Sequence, residues 1–413
     1  MESSRRALLI LFAINILNFY DRGVLNAVTE PIRREFGLTD TQIGAITTAF
    51  TLLYAVIGLP LARISDRFSR KKVMSAGVSV WSLMTGSAAV ASGYGLLMVS
   101  RLGVAVGEAA YAPAATSWLG DLYPAKKRSR PLAIFMLGVP IGTGLSYLLS
   151  GPIAQAFGWR AAMALAAVPA LLLVPALLSL QEPIRGASDP GGSVGTIPSI
   201  LRIPALWWII ASGAILNFVM YAFAAFVSSL MIRVHGVSVG TAGIAAGLLT
   251  VMGGVMGGVV AGQVGDWVIL RRKDGRMLAA ALASLMAAPM GYFAILEPSV
   301  AIAIPLLGLT YCFLNMYYGL VYSSLHDIIP ASLRSTALAF YFMMMYLCGA
   351  SFGPLITGNL SDRMARRAAA AAGSEVVTEM YRAVGLREAM LIIPALAIVL
   401  AAVLYAGSRT IRR

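Results

Sequence analysis

Asp121-Leu-Tyr-Pro-Ala-Lys-Lys-Arg-Ser-Arg-Pro-Leu-Ala133 returns 206 residues later as Asp327-Ile-Ile-Pro-Ala-Ser-Leu-Arg-Ser-Thr-Ala-Leu-Ala339, with seven of thirteen positions identical and no gap. Two shorter echoes keep nearly the same offset. Ala62-Arg-Ile-Ser-Asp66 meets Gly262-Gln-Val-Gly-Asp266 at 200, and Asn18-Phe19 meets Asn217-Phe218 at 199. Three correspondences in one order mean that the chain is written twice, so the unit to be understood is the half.

What is repeated is a set of apolar runs. Of 413 residues, 59% are hydrophobic and 12% charged, against about 25% charged in soluble domains. Twelve runs reach bilayer length: 7–30, 41–63, 73–92, 95–118, 131–157, 160–180, 205–232, 240–266, 277–296, 299–325, 333–360 and 388–407. They are continuous rather than alternating, which predicts helices and not barrel strands. The expected fold is an all-α membrane protein: two six-helix bundles, residues 1–180 and 205–413, joined by the Pro-, Gly- and Ser-containing linker 181–204.

The net charge of +14 has to be read by position. With the N-terminus inside, 21 of the 32 Lys and Arg fall in cytoplasmic segments and nine outside, five of those nine in the loop 361–387. This asymmetry predicts cytoplasmic termini and removes nucleic acid as a partner. The loop 361–387 breaks the rule without an evident purpose. The first run lacks a small-residue cleavage site and reads as a retained helix. Cys312 and Cys348 fall inside runs and give no disulfide framework. His235 and His326 lack metal-spaced partners, so neither a metal nor a cofactor is expected. No P-loop, Gly-x-Ser-x-Gly elbow or metallohydrolase pattern occurs, which argues against an enzyme and against ATP as the energy source.

The charged residues inside the runs carry the chemistry. Asp21, Arg22, Arg101 and Glu108 lie well within them, where each charge costs about 2.5–3.5 kcal/mol unless paired or wetted. On helix 1, Asn15, Asn18, Arg22 and Asn26 share one face, a polar stripe expected to line a cavity. Arg101 and Glu108 are two turns apart on one face of helix 4. Arginine stays protonated, so Asp21 and Glu108 are the groups able to carry a transported proton, with Asp21 the expected proton site. The expected pairs are Asp21 with Arg22 and Glu108 with Arg101. Arg22 and Arg101 are also expected to receive a substrate headgroup. The second half has no counterpart to these four charges. It offers Tyr221, Phe223, Asn315, Tyr318 and Tyr322 instead, together with Met343-Met-Met-Tyr346, an aromatic and thioether surface suited to hydrocarbon.

Ala62-Arg-Ile-Ser-Asp-Arg-Phe-Ser-Arg-Lys-Lys72 resembles the loop signature G-x-x-x-D-R-x-G-R-[RK] of the major facilitator superfamily, with Ala62 and Ser69 in place of glycines. Asn18-Phe-Tyr-Asp-Arg22 and Arg101-Leu-Gly-Val-Ala-Val-Gly-Glu-Ala-Ala-Tyr111, followed by Asp121-Leu-Tyr123, are most similar to the spinster lipid transporters. The organic anion symporters share a related Asn-Tyr-x-Asp-Arg. The resemblance implies twelve helices and alternating access. It also implies a cytoplasmic gate built on Asp66, Arg67 and Arg70, with Asp266 as its counterpart in the second half. The expected function is proton-coupled secondary transport of an amphiphile of lysolipid or sphingoid type. The alternatives are a proton-coupled symporter of small organic anions and an uncoupled channel or scramblase. The expected setting is a bacterial inner membrane, with the chain a monomer whose partners are the substrate, protons and membrane lipids.

Overall fold

The computed structural model describes residues 2–124, 129–185, 203–329 and 334–412. Within them every regular element is helical. Among the described residues, eleven segments are long and apolar enough to cross a membrane. The expected run at 73–92 also forms a helix, α4 (Arg70–Ala89), but its Arg-Lys-Lys start and its Ser and Thr residues keep it out of that set. Its surroundings explain the polarity. α4 packs on α5 (Tyr94–Ala109) and α9 (Trp159–Leu172), so much of its surface faces protein rather than lipid, and the Thr85 hydroxyl finds a partner in Asp21.

Several runs are broken helices, and their sequences say where. α5 gives way to α6 (Tyr111–Leu122) ahead of Pro113, and α9 to α10 (Val174–Leu178) ahead of Pro175, because proline withholds an N–H from the ladder. α1 (Glu2–Ala27) stops before the short α2 (Thr29–Phe36), three residues earlier than expected. Gly37 and Gly236 adopt the left-handed conformation where helices end, and Gly158 ends another at a positive φ.

The chain divides into two compact units. The first comprises Met1–Leu38, Ala49–Gly192 and Ser238–Gly247. There α1 packs on α8 (Gly138–Phe157) and α9 around a core of Leu11, Ile14, Trp81, Tyr111, Trp118 and Phe135. Tyr111 stands edge-on to Trp81, 5.6 Å between centroids, and donates 2.6 Å to the Leu11 carbonyl. α4 and α5 cross at two glycines, where a Cβ on Gly77 would lie 2.6 Å from the Gly107 carbonyl.

The second unit comprises Thr39–Thr48, Ser193–Val237 and Leu248–Arg413. Its helices are α11 (Pro204–His235), α12 (Val239–Ile269) from Leu248 onward, α13 (Gly275–Leu296), α14 (Val300–Ile328), α15 (Arg334–Met345), α16 (Gly353–Ala371), α17 (Glu379–Met390) and α18 (Ile392–Arg412). A π-helical turn, Tyr346–Ala350, separates α15 from α16 ahead of Pro354. α13 packs on α14 and α18, and α16 on α17. The unit also holds the first turns of α3 (Asp40–Arg67). Asp362 of α16 accepts from the Asp40 and Thr41 backbone N–H groups at 3.1 and 2.8 Å. The Asp40 carboxylate meets Arg233 in a fork, both bonds 2.8 Å.

Candidate functional site

In the first unit, Asp21 and Arg22 are adjacent on α1 and therefore point about 100° apart, so each meets a different charge on α5. Arg101 Nη1 donates 3.1 Å to Asp21 Oδ1, and Arg22 Nε donates 2.6 Å to Glu108 Oε2. The expected pairs are thus exchanged: adjacent residues on a helix cannot face each other, whereas a long guanidinium reaches across to the neighbouring helix. Both carboxylates are fully buried, Arg101 is 3% exposed, and Arg22 is the most accessible of the four at 14%.

The two carboxylates are used differently. Asp21 is bound at both oxygens, with Arg101 on Oδ1 and the Thr85 hydroxyl of α4 on Oδ2. Glu108 keeps one oxygen for Arg22, while Oε1 is buried with no hydrogen-bond partner. Arg101 Nε and Asn18 Nδ2 are likewise buried and unpartnered. Leaving such atoms unsatisfied costs about 1–3 kcal/mol each, and two of the three belong to the charge cluster itself. Arg22 sits over aromatic rings, 4.3 Å from the Tyr54 centroid, 5.0 Å from Phe19 and 5.7 Å from Phe50. Arg101 also touches the Met163 sulfur at 3.2 Å.

The polar stripe of α1 does not act as one surface. Asn15 is buried and donates 2.7 Å to the Phe135 carbonyl of α7 (Ser129–Met136), so it ties two helices together. Asn18 is buried beside it, and Asn26 is half-buried.

In the second unit the aromatic residues form a connected set. Tyr322 stands edge-on to Tyr318 at 5.6 Å, to Tyr341 at 5.7 Å and to Phe342 at 5.5 Å. Tyr221 meets Tyr346 at 6.2 Å, and Phe223 meets Tyr311 at 5.6 Å. Tyr318 donates to Asn217 at 3.4 Å, and the Tyr317 hydroxyl joins Ser212 and Tyr341 at 2.8 and 3.1 Å. Phe223 is 3% exposed and acts as packing. Tyr221, Asn315, Tyr318 and Tyr322 are half-buried, and Asn315 Nδ2 is buried without a partner.

The expected gate residues separate. Arg70 is 2% exposed, not a solvated loop residue, and is bound at 2.6 Å to Asp121 and at 3.3 Å to Glu182. Glu182 also accepts from Ser69 Oγ at 2.7 Å and the Arg70 N–H at 2.9 Å, which caps α4. Arg67 is exposed, and the side chain of Asp66 lies outside the described residues. Asp266 is 86% exposed and lies 3.6 Å from Arg276, which binds Asp327 more tightly at 2.6 Å.

Residues 11–354 match the sequence profile of the Major Facilitator Superfamily. The chain belongs to the major facilitator superfamily. Among relatives of this superfamily member, an MFS-type efflux pump of Mycolicibacterium smegmatis is 28% identical over 86% of this chain and 84% of its own. Human protein spinster homolog 1 is 28% identical over 89% of this chain and 75% of its own. A crystal structure of a bacterial homologue of the human lysosomal transporter spinster, described as inward-facing and unoccupied, superposes with a TM-score of 0.90 at 27% identity. It covers 99% of this chain and 97% of that one. The chain is therefore a spinster-like transporter of the superfamily, an integral multi-pass membrane protein and not an enzyme.

Sequence reasoning on this transporter missed Thr85, Met163, Glu182 and the Asp40–Arg233–Asp362 cluster. For the cluster a signal was available. Gly358-Asn-Leu-Ser-Asp-Arg-Met-Ala-Arg-Arg367 repeats the pattern of Ala62–Lys71, with Ser, Asp and two Arg at matching places. Its aspartate caps a helix N-terminus, as carboxylates at such positions do.

Proposed function

We propose that the protein is a proton-coupled secondary transporter of an amphiphilic lipid-like molecule of lysolipid or sphingoid type, working by alternating access. The observation that carries this reading is Glu108: fully buried, with one oxygen on Arg22 and the other unpartnered. A proton on Oε1 would remove the charge pairing between Glu108 and Arg22, and Arg22 is the most accessible member of the quartet to a headgroup. Asp21, held at both oxygens by Arg101 and Thr85, is the second proton site, reached only when that arrangement opens. The aromatic set of the second unit supplies a surface for hydrocarbon. The remaining parts of the proposal are twelve crossings with α4 as the twelfth and two six-helix halves joined by 181–204, in keeping with the superfamily match, cytoplasmic termini from the Lys and Arg asymmetry, a bacterial inner membrane in keeping with the bacterial relatives, and a monomeric carrier.

The competing organic anion symporter needs both arginines to clamp a carboxylate. Arg101 is 3% exposed and committed to Asp21, which counts against that reading. A channel or scramblase would give flux without saturation or proton dependence. The test is uptake of a fluorescent lysophosphatidylcholine into proteoliposomes under an imposed pH gradient. The carrier predicts saturable uptake that follows the gradient and loses that dependence in Glu108→Gln. Uptake indifferent to the gradient in the unmodified protein would refute proton coupling.

A further inference from the structure

The loop that breaks the charge asymmetry begins on α16, within the candidate span Phe340–Ala371. Arg363, Arg366 and Arg367 are exposed on its last turns, and none has an ion-pair partner among the described residues. Their neighbour Asp362 is turned away and spent on the first turn of α3. Three cations on the wrong side for topology, held at a membrane boundary without a counter-ion, call for an anion from outside the chain.

Directly below them lies a cavity of about 570 Å³, lined by Leu355, Ile356, Asn359, Leu360, Arg363 and, from α18, Ile392. Its lining is ordered along the helix. Leu355, Asn359 and Arg363 are spaced four apart and so share a face, each step about 6 Å along the axis. From the membrane outward the face therefore reads hydrocarbon, amide, cation. A glycerophospholipid reads the same way, as acyl chain, ester carbonyl and phosphate.

We propose that this groove holds one anionic glycerophospholipid. Its phosphate lies on Arg363 within the field of Arg366 and Arg367, its ester carbonyl accepts from the Asn359 amide, and an acyl chain lies along Leu355, Ile356, Leu360 and Ile392. The three unpaired cations select an anionic over a zwitterionic lipid, and the apolar floor selects a lipid over free phosphate. The site is separate from the charge quartet of the first unit. It rests on the reading of α16 as a membrane span and not on the transported substrate.

The experiment places a bimane label at Val399→Cys, exposed two turns along α18 from Ile392, in a carrier whose Cys312 and Cys348 are replaced. The labelled protein is put into nanodiscs with chain-brominated phosphatidylglycerol or phosphatidylcholine. Half-maximal quenching is expected at a mole fraction lower for the anionic lipid by at least about five-fold, the factor expected for one cation at an anionic surface. Arg363→Gln should bring the two curves together, and Arg363→Lys should keep part of the gap. Coincident curves in the parent protein, or a gap that survives Arg363→Gln/Arg366→Gln/Arg367→Gln, overturn the proposal. So does absence of quenching by either lipid, which would mean that protein covers the groove. Asp21→Asn should leave the gap intact whether or not it transports, which separates failure here from failure of the transport reading.

Discussion

Asp21 and Glu108 are equally buried, but losing each should have unequal consequences. Asp21→Asn leaves Arg101, 3% exposed, without its hydrogen-bonded carboxylate, and breaking a buried pair in this way costs about 3–5 kcal/mol. Glu108→Gln, like Asp21→Asn, keeps an amide oxygen for its arginine, but Arg22 is also supported by three aromatic rings and partial solvent access. Its cost should be about 1–3 kcal/mol, that of a buried group left imperfectly satisfied. Thermal unfolding in detergent should therefore rank Asp21→Asn well below Glu108→Gln. A double-mutant cycle should find coupling within the Asp21–Arg101 and Arg22–Glu108 pairs, about 1–3 kcal/mol, and less across Asp21 and Arg22. Equal coupling for all combinations would refute the pairing. The four charges were legible in the sequence because a carboxylate inside an apolar run stands out. Their partners were not, because one helix's sequence gives rotation and depth but not which neighbour it meets. Thr85 and Met163 left no trace, since both are ordinary in a membrane helix.

At the scale of elements, close helix approach and capping make the sharpest claims. A Cβ on Gly142 would lie 2.2 Å from the Ile16 carbonyl, and one on Gly358 2.2 Å from the Asp40 carbonyl, in both cases against backbone that cannot swing aside. Gly142→Ala and Gly358→Ala should each cost about 1–3 kcal/mol as overpacking. Gly120→Ala meets nothing within 4 Å and should gain about 0.5–1 kcal/mol of helix propensity. Size-exclusion recovery after heating orders the three. Capping brings in pH. Burial pushes Glu182 up, but hydrogen bonds from Ser69 and from the Arg70 backbone and side chain outweigh it and hold its carboxyl below the usual glutamate value. The stability it contributes is complete above the ordinary carboxylate range and is lost as pH falls through the lower, folded value. Glu182→Gln should cost about 1 kcal/mol near neutral pH and flatten the acid limb of a stability profile. An unchanged acid limb would show that Glu182 plays no part. The runs predicted most helices because bilayer length is a strong signal. They did not predict that Arg70 would be drawn inside, because its partner Glu182 lies 112 residues away.

At the scale of the molecule, the 206-residue echo made the two-fold writing of the chain visible before any helix was placed. The halves then diverged in chemistry: four buried charges in one, linked aromatic rings in the other. That division bears on coupling. If protonation of Glu108 releases Arg22, the change starts within the first unit and has to alter its relation to the second in order to move a substrate. Phe68 and Leu270, 64% and 87% exposed, lie one in each unit and tolerate labels. With Cys312 and Cys348 replaced, spin labels at Phe68→Cys and Leu270→Cys should give a distance distribution whose populations shift on acidification. Glu108→Gln should show the acidic distribution already at neutral pH, because the neutral amide stands in for the protonated acid. Arg22→Gln should remove the response, since no cation remains to be released. A distribution that ignores pH in the parent protein, or one that Glu108→Gln leaves unchanged, would make the Arg22–Glu108 pair a static brace between α1 and α5, and the driving ion would have to act elsewhere.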